Sequence, residues 1–170
     1  MNSQTRQSPT TADEAAIRVI PFQMIEAWNQ GSGAGFAAPF AEHTDFVAFE
    51  GTHLQGRPEI TLFHQQLFDT TLKGTRLYGE VKFVHFLNPQ LAVMHAVGGT
   101  MMAREKAALP SRDSMQLFVV AKYAAEWRVV SLLNARKLTL ERQLFLDDLD
   151  SLPTQAQRQV VDFVAALKQR

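Results

Sequence analysis

The spacing of apolar residues divides the chain into a helical first part and a strand-rich second part. Between Ala15 and Trp28, apolar side chains recur every three or four residues, which predicts a first helix that ends before Gly31. Pro21 lies inside this segment, and proline removes a hydrogen-bond donor and clashes with the preceding turn. We therefore expect a kink or a restart of the helix at Pro21. A second, shorter helix is predicted around residues 35–41.

The next segment predicts two short strands and a third helix. Apolar residues alternate over 46–49 and meet Gly51, and a second short extended piece reaches Gly56. The helical spacing of Ile60, Phe63, His64 and Leu67 then begins just after Pro58, a residue that is tolerated in the first turn of a helix. The third helix is expected to end near residue 72.

Four long strand-like segments follow, at residues 75–86, 91–102, 114–123 and 127–138. Helices followed by a block of strands indicate an α+β fold rather than a βαβ repeat. A tight turn at residues 124–125 pairs Gln116 with Leu133, so this register predicts that Gln116 and Asn134 point to opposite sides of the sheet. Both faces of these strands are largely apolar, which suggests that helices cover one face and a second subunit covers the other.

The two ends of the chain are interpreted separately. Residues 1–10 are polar and predict a disordered tail, residues 11–138 form the folded domain, and residues 139–170 form an extension. The extension contains an amphipathic helix whose apolar stripe includes Val160 and Phe163. The acidic run Asp147, Asp148 and Asp150 lacks the alternating spacing of a calcium-binding loop, so we interpret it as a solvated linker.

Composition excludes several classes of function. Basic and acidic residues number 17 each, so the net charge is zero and no overall field favours nucleic acid or an anionic membrane. The chain has no cysteine, which excludes disulfides and thiolate chemistry and suits a cytoplasmic protein. No segment is apolar for long enough to span a bilayer, and the first residues lack a signal-peptide pattern.

The sequence also gives no sign of a cofactor or a metal. It contains no glycine-rich phosphate loop, so no nucleotide cofactor is expected. His43, His53 and His85 share no ligand spacing with carboxylates, and no pair of histidines has the helical spacing of a zinc hydrolase. We expect neither group to be part of the protein.

A set of short motifs, in order, resembles the SnoaL-like division of the nuclear transport factor 2-like superfamily, and most closely its SgcJ/EcaC-type branch. The motifs cover residues 15–136 and are Ala27-Trp28-Asn29, Phe40-Ala41-Glu42, Asp45-Phe46-Val47, Gly51, Gly56-Arg57 with Ile60 and His64, Leu91-Ala92-Val93 with His95, Glu126-Trp127-Arg128-Val129-Val130 and Asn134-Ala135-Arg136.

The resemblance implies a cystatin-like cone, in which a curved antiparallel sheet wraps around three helices and encloses a pocket. It also implies a homodimer that packs sheet to sheet. The same cone serves isomerases, cyclases, dehydratases, binding proteins and assembly domains, so fold alone does not give function. Where ketosteroid isomerases of this fold carry their aspartate and tyrosine, this chain has Ala48 and roughly Met24. Where SnoaL-type cyclases have an acid, it has Asn134, an amide that cannot act as a base.

Three residues are candidates for acid/base chemistry. His64 is either a pocket acid or base, or a histidine that is hydrogen-bonded in the core. His95 lies on a strand, facing either the pocket or the dimer side. Asp45 begins the first predicted strand, where it reaches the pocket mouth or accepts hydrogen bonds from the backbone or Arg57.

Three further residues are candidates for ligand binding. Trp28 offers an aromatic wall for a flat ligand or closes the core. Gln116 and Asn134 are amides among apolar residues, and each needs a hydrogen-bonding partner; we assign Asn134 to the pocket and Gln116 to the dimer interface. The predicted function is binding of a small apolar or flat organic molecule, with cofactor-independent cyclisation, isomerisation or hydration if the protein is an enzyme. The alternative is a non-catalytic binding or assembly module.

Overall fold

The computed structural model describes residues 9–167, which form two compact units divided between Lys137 and Leu138. Most of the predicted disordered tail, residues 1–8, lies outside the described residues. Among these residues, the first unit contains three α-helices, one 3₁₀ turn at Pro110–Arg112 and six strands, and the second contains two α-helices. The α+β fold with a curved sheet and a C-terminal helix is confirmed.

Helix α1 spans Thr11–Asn29 and continues through the buried Pro21 without restarting. Its first turn is closed by a capping box, in which the Thr10 hydroxyl accepts from the Asp13 N–H at 3.1 Å and the Asp13 carboxylate accepts from the Thr10 N–H at 3.0 Å. Helix α2 is a single turn, Gly33–Ala37. The predicted second helix was therefore too long, because residues 40 and 41 belong to a strand.

The strands β1 and β2 and the helix α3 follow in the predicted order with shifted boundaries. Strand β1 spans Phe40–Val47, β2 spans His53–Gln55, and α3 spans Gly56–Asp69. The turn between the two strands contains Gly51 at a φ of 91°, a left-handed conformation in which a side chain would be strained.

Four strands remain: β3 (Arg76–Asn88), β4 (Leu91–Met101), β5 (Asp113–Tyr123) and β6 (Glu126–Arg136). The sheet order is β2-β1-β6-β5-β4-β3. All neighbouring pairs are antiparallel except β1 and β6, which run parallel, so the expectation of a wholly antiparallel sheet is wrong at that pair. The chain passes from α2 into β1, and the strand that pairs with the other edge of β1, β6, is the last strand in the sequence.

The core lies between the three helices and one face of the sheet. Its fully buried side chains include Ile17 of α1, Ile60 of α3, Phe40 of β1 and Met94 of β4. A buried polar cluster ties the start of α1 to the β5–β6 hairpin, because the Asp13 carboxylate accepts from Lys122 Nζ at 2.6 Å and from Trp127 Nε1 at 2.9 Å. The Lys122 hydrogen bond, with further donors from Thr10 and Trp127, holds the pKa of Asp13 well below its usual value.

A β-bulge in β6 corrects the predicted register of the last hairpin. Val119 pairs with Ser131 and Val120 with Val129, which leaves Val130 as an extra residue. Beyond the bulge Gln116 pairs with Asn134 rather than Leu133, so the two amides share a face of the sheet. The prediction of opposite orientations was wrong because a one-residue insertion moves every later side chain to the other face.

The second unit consists of α4, Leu140–Ser151, and α5, Thr154–Leu167. Asp147, Asp148 and Asp150 lie within α4, so their interpretation as a linker was wrong. The Thr139 hydroxyl caps α4 by accepting from the Arg142 N–H at 3.3 Å. Within residues 9–167, no helix is both long enough and apolar enough to cross a membrane.

Candidate functional site

A cavity of about 340 Å³ lies in the first unit, between the helices and the inner face of the sheet. Its wall is predominantly apolar, and it falls in the size range that suits a small organic ligand. The aromatic and aliphatic residues that line it include Met24, Ile25, Trp28, Phe36, Phe46, Phe63, Leu67, Phe118 and Leu132.

His64 lines this cavity and has only 3% of its surface exposed. Its ring stacks on Phe36 with the centroids 4.0 Å apart, and its Nδ1 lies 2.9 Å from the Ile60 carbonyl of the preceding turn. A carbonyl can only accept, so Nδ1 carries the proton and Nε2 keeps its lone pair. Burial lowers the pKa of His64 from 6.5 to about 4, and the Ile60 hydrogen bond offsets this only in part. The imidazole is therefore neutral at physiological pH.

Four polar residues on β5 and β6 form a contiguous row along the cavity wall: Ser114, Gln116, Asn134 and Arg136. The Gln116 side-chain amide donates to Ser114 Oγ at 2.6 Å and to Asn134 Oδ1 at 3.0 Å. These two bonds use both donors of Gln116, so its Oε1 stays available as an acceptor. The Asn134 amide N–H groups and the Arg136 guanidinium are the donors that remain. We call these four residues the polar row.

Hydrogen bonds and an ion pair order the rim of the cavity. The Tyr78 hydroxyl donates to Asp113 Oδ1 at 2.9 Å, and burial together with this bond raises the pKa of Tyr78. Arg112 pairs with Glu105, whose pKa is lowered mainly by that hydrogen bond. The Arg136 guanidinium lies 4.3 Å from the centre of the Phe49 ring.

Gly98 and Gly99 of β4 let Tyr78 of β3 approach the backbone of β4 closely beside the cavity. A Cβ at Gly98 would lie 2.2 Å from the Tyr78 carbonyl oxygen, and one at Gly99 would lie 2.5 Å from the Tyr78 hydroxyl. Only glycine permits this approach, which holds Tyr78 in its place at the rim.

Four of the six predicted site residues line the cavity: Trp28, His64, Gln116 and Asn134. The Trp28 indole is fixed by its Nε1–H, which donates to Thr75 Oγ1 at 3.0 Å, so the ring serves as a rigid wall. Gln116 was expected at a subunit interface and instead lies on the inner face beside Asn134.

The other two predicted residues, Asp45 and His95, lie away from the cavity. The Asp45 carboxylate is exposed and its Oδ1 lies 2.7 Å from His53 Nε2 across the β1–β2 pair, and among the described residues it forms no hydrogen bond with Arg57. His95 alternates with the buried Met94 and Ala96, so its ring faces the outer side of the sheet, where it packs 5.3 Å from Phe83. The geometry thus gives neither residue a contact with a ligand in the cavity.

The sequence did not single out the cationic residues of the rim, Arg112 and Arg136. Both flank strand ends, and Arg136 was considered only as part of a motif of the fold. One arginine stands directly before β5 and the other at the end of β6, and these two strand ends lie side by side in the hairpin. This placement is the sequence signal that could have identified both arginines as cavity residues. Within the part of the chain that the structure describes, no three His, Asp or Glu side chains come together as a metal site would require.

The chain is similar to a crystal structure of a domain of unknown function with a cystatin-like fold from Nostoc punctiforme. The two share 61% sequence identity over 95% of this chain and 99% of that chain, with a TM-score of 0.90. The chain belongs to the same family as this cystatin-like domain. No family model matches the chain, and no curated protein matches it.

Two more distant structures share the cystatin-like fold alone. A ketosteroid isomerase-like protein from Erwinia carotovora is 13% identical with a TM-score of 0.61, over 76% of this chain and 100% of that chain. A nuclear transport factor 2-like protein from Novosphingobium aromaticivorans is 14% identical with a TM-score of 0.65, over 79% of this chain and 89% of that chain.

The two positions that the sequence resemblance matches to the catalytic residues of ketosteroid isomerases, Met24 only roughly, are both apolar. Ala48 and Met24 both line the cavity, and neither can donate or accept a proton. Among the described residues, His64 is the only histidine that lines the cavity, and its Nε2 keeps a free lone pair.

Proposed function

We propose that this protein binds a small, flat organic molecule in the cavity, with the ligand packed between Trp28 and the apolar wall and hydrogen-bonded to His64. The observation that carries the proposal is the neutral His64 side chain, whose Nε2 lone pair is retained in a cavity whose wall is predominantly apolar. His64 Nε2 has no hydrogen-bond partner among the described residues and is not enclosed in the core, so a ligand in the cavity can reach it and become its partner. A ligand with one well-placed donor supplies that partner.

A second candidate function is cofactor-independent proton transfer on such a ligand. The same Nε2 is a base that stays unprotonated over the physiological range, since the pKa of His64 is about 4. It is a weak base, so it would suit substrates that carry an acidic carbon next to a carbonyl group. The polar row lies on the sheet, where Asn134 offers an N–H donor to that carbonyl.

The bicyclic phenol 2-naphthol, whose hydroxyl can donate to His64 Nε2, tests binding, and the bicyclic ketone 2-tetralone tests proton transfer. We expect saturable binding of 2-naphthol by calorimetry, and, if the protein is a catalyst, faster exchange of the α-protons of 2-tetralone in D₂O than in buffer, measured by proton NMR. The exchange rate should be flat from pH 5 to 8, because His64 titrates near 4 rather than 6.5.

His64→Gln separates the outcomes of the two experiments. Exchange that survives in this variant rules out His64 as the base, and binding without any exchange leaves the protein a binder only. Absence of saturable 2-naphthol binding contradicts the proposed function itself.

We also propose that two copies of the first unit pack through the outer face of the sheet. Phe83, His95, Leu117 and Leu133 stand at one register position across four strands, and Leu117 and Leu133 are 43% and 47% exposed. Exposed apolar patches of this kind favour association. The second copy is the partner that the resemblance implies.

Sedimentation at micromolar concentration checks the dimer. We expect the wild type to sediment as a dimer and Leu117→Glu as a monomer, because burying a carboxylate against the facing apolar side chains is costly. Leu62→Glu is the matched control, since Leu62 is 71% exposed on α3, a helix on the other side of the sheet. A monomeric wild type, or a dimeric Leu117→Glu protein, overturns the proposal.

Within the superfamily, we assign the protein to the SnoaL-like division and its SgcJ/EcaC-type branch, on the motifs of residues 15–136. A cytoplasmic location is proposed from the lack of cysteine. A periplasmic or secreted location of the tagged full-length chain in cell fractionation would contradict it.

A further inference from the structure

We infer that the ligand of the cavity is an anion: a flat apolar molecule with a carboxylate that is bound by Arg136 and Asn134. This inference rests on the proposed function and adds the chemical class of the ligand. It follows from the donors that the polar row leaves unused and from the charges around them.

Arg136 is the first of these donors. Among residues 9–167 it makes one side-chain hydrogen bond, from Nη1 to the Ser111 carbonyl at 3.1 Å, and no ion pair. Phe49 lies against its guanidinium and limits its freedom, while the remaining N–H groups are available. A planar guanidinium held in this way is suited to a carboxylate, which it can bind with two parallel hydrogen bonds.

Asn134 supplies the second donor on the same strand face. Its side-chain oxygen already accepts from Gln116 at 3.0 Å, so its amide N–H groups point away from that bond. Asn134 and Arg136 are two residues apart on β6, which places them about 7 Å from each other along one face. Both side chains line the cavity, and one carboxylate can lie between them.

The other charges near the cavity do not cancel this preference. Arg112 is paired with Glu105, and the carboxylate of Glu80 is paired with Lys82. The Asp113 carboxylate forms no ion pair among the described residues, but it accepts a hydrogen bond from the Tyr78 hydroxyl. Glu50 also lines the cavity but is exposed in the turn after β1, where water screens its charge. Arg136 is half-buried, so its charge is screened less than that of Glu50.

The opposite end of the ligand is then defined by the apolar wall. The cavity is lined between the polar row and His64 by aromatic side chains such as Phe46 and Phe118. A ligand anchored by its carboxylate at the rim would lay its rings along this wall. A hydroxyl or N–H on the far ring would donate to His64 Nε2.

A matched pair of probes, 1-naphthaleneacetic acid and 1-naphthaleneacetamide, tests the inference by calorimetry at low salt. We expect the acid to bind at least about tenfold more tightly than the amide, the difference that a charge-assisted hydrogen bond supplies. Arg136→Met should remove this difference. The control Arg76→Met, which removes an exposed arginine of β3 outside the cavity lining, should preserve it. Glu50→Gln should strengthen binding of the acid by a smaller factor.

The outcomes separate the two levels of the proposal. Equal affinity for acid and amide, or an acid preference that persists in Arg136→Met, overturns the anionic ligand while the proposed binding function stands. Failure of both probes to bind, together with failure of 2-naphthol, overturns the proposed function as well. Unfolding midpoints of each variant show whether lost binding reflects a lost fold.

Discussion

Ala96→Phe is expected to reduce the affinity of the protein for 2-naphthol by at least about tenfold while the fold is kept. Ala96 lies on β4 with 4% of its surface exposed, and its methyl group forms part of the cavity wall. A phenyl ring at this position occupies space that the ligand would need. Losing the contacts of one aromatic ring with an apolar pocket accounts for a change of this size.

The effect on stability distinguishes a filled cavity from a damaged core. In a tightly packed site, an added aromatic ring costs about 1–3 kcal/mol, but an empty cavity accepts it with little strain. We therefore expect the urea midpoint of Ala96→Phe to stay close to that of the wild type. Ala15→Phe, at an exposed position of α1, is the matched control and should change neither binding nor stability. Binding by Ala96→Phe at wild-type affinity would contradict a ligand site in this cavity.

Acidification from pH 7 to 4 is expected to remove about 3 kcal/mol of stability through His64 alone, since a difference of one in pKa between the folded and unfolded states is worth about 1.4 kcal/mol. The pKa of His64 is lowered from 6.5 in the unfolded chain to about 4 in the folded protein, so the unfolded state takes up the proton first as the pH falls. Stability from this group is therefore complete above pH 6.5 and is lost progressively between 6.5 and 4.

Urea unfolding of the wild type and His64→Gln at several pH values measures this loss. The variant is expected to be less stable at pH 7, because it loses the stacking on Phe36, but to lack the decline that begins near pH 6.5. His53→Gln removes an exposed histidine and should keep the wild-type decline. A parallel decline in the wild type and His64→Gln would mean that the imidazole is not neutral and buried in the folded state.

The sequence was sufficient to predict most elements of the fold, because their apolar periodicity is strong. The helical spacing around Ile17 and Ile60 predicted α1 and α3, and the alternation around Met94 and Val120 predicted the central strands. The motifs of residues 15–136 also gave the cystatin-like class correctly. Helix α4 was missed because its acidic residues suit a solvated linker as well as an exposed helix face.

The candidate site was predicted less well, for two physical reasons. The bulge at Val130 has no local sequence signal, yet it turns Asn134 to the same face as Gln116 and thereby creates the polar row. The placement of His95 and Asp45 stayed open for a related reason, since strand alternation gives two faces but not which one is covered by helices. His64 was placed on the buried face of α3 because it lies four residues after Ile60, while the sequence left open whether it serves the pocket or the core.

Side-chain NMR of the ¹⁵N-labelled protein, titrated with 2-naphthol, whose hydroxyl can donate to His64 Nε2, tests the central claim most directly. We predict saturable shifts of the His64 imidazole and of the Gln116 and Asn134 side-chain amides, with His64 Nε2 moving most as it accepts a hydrogen bond or a proton. The signals of His53 and His95, which lie outside the cavity, should stay in place. Shifts confined to His95 and the outer face of the sheet, or no saturable shift at all, would contradict a ligand site built around His64.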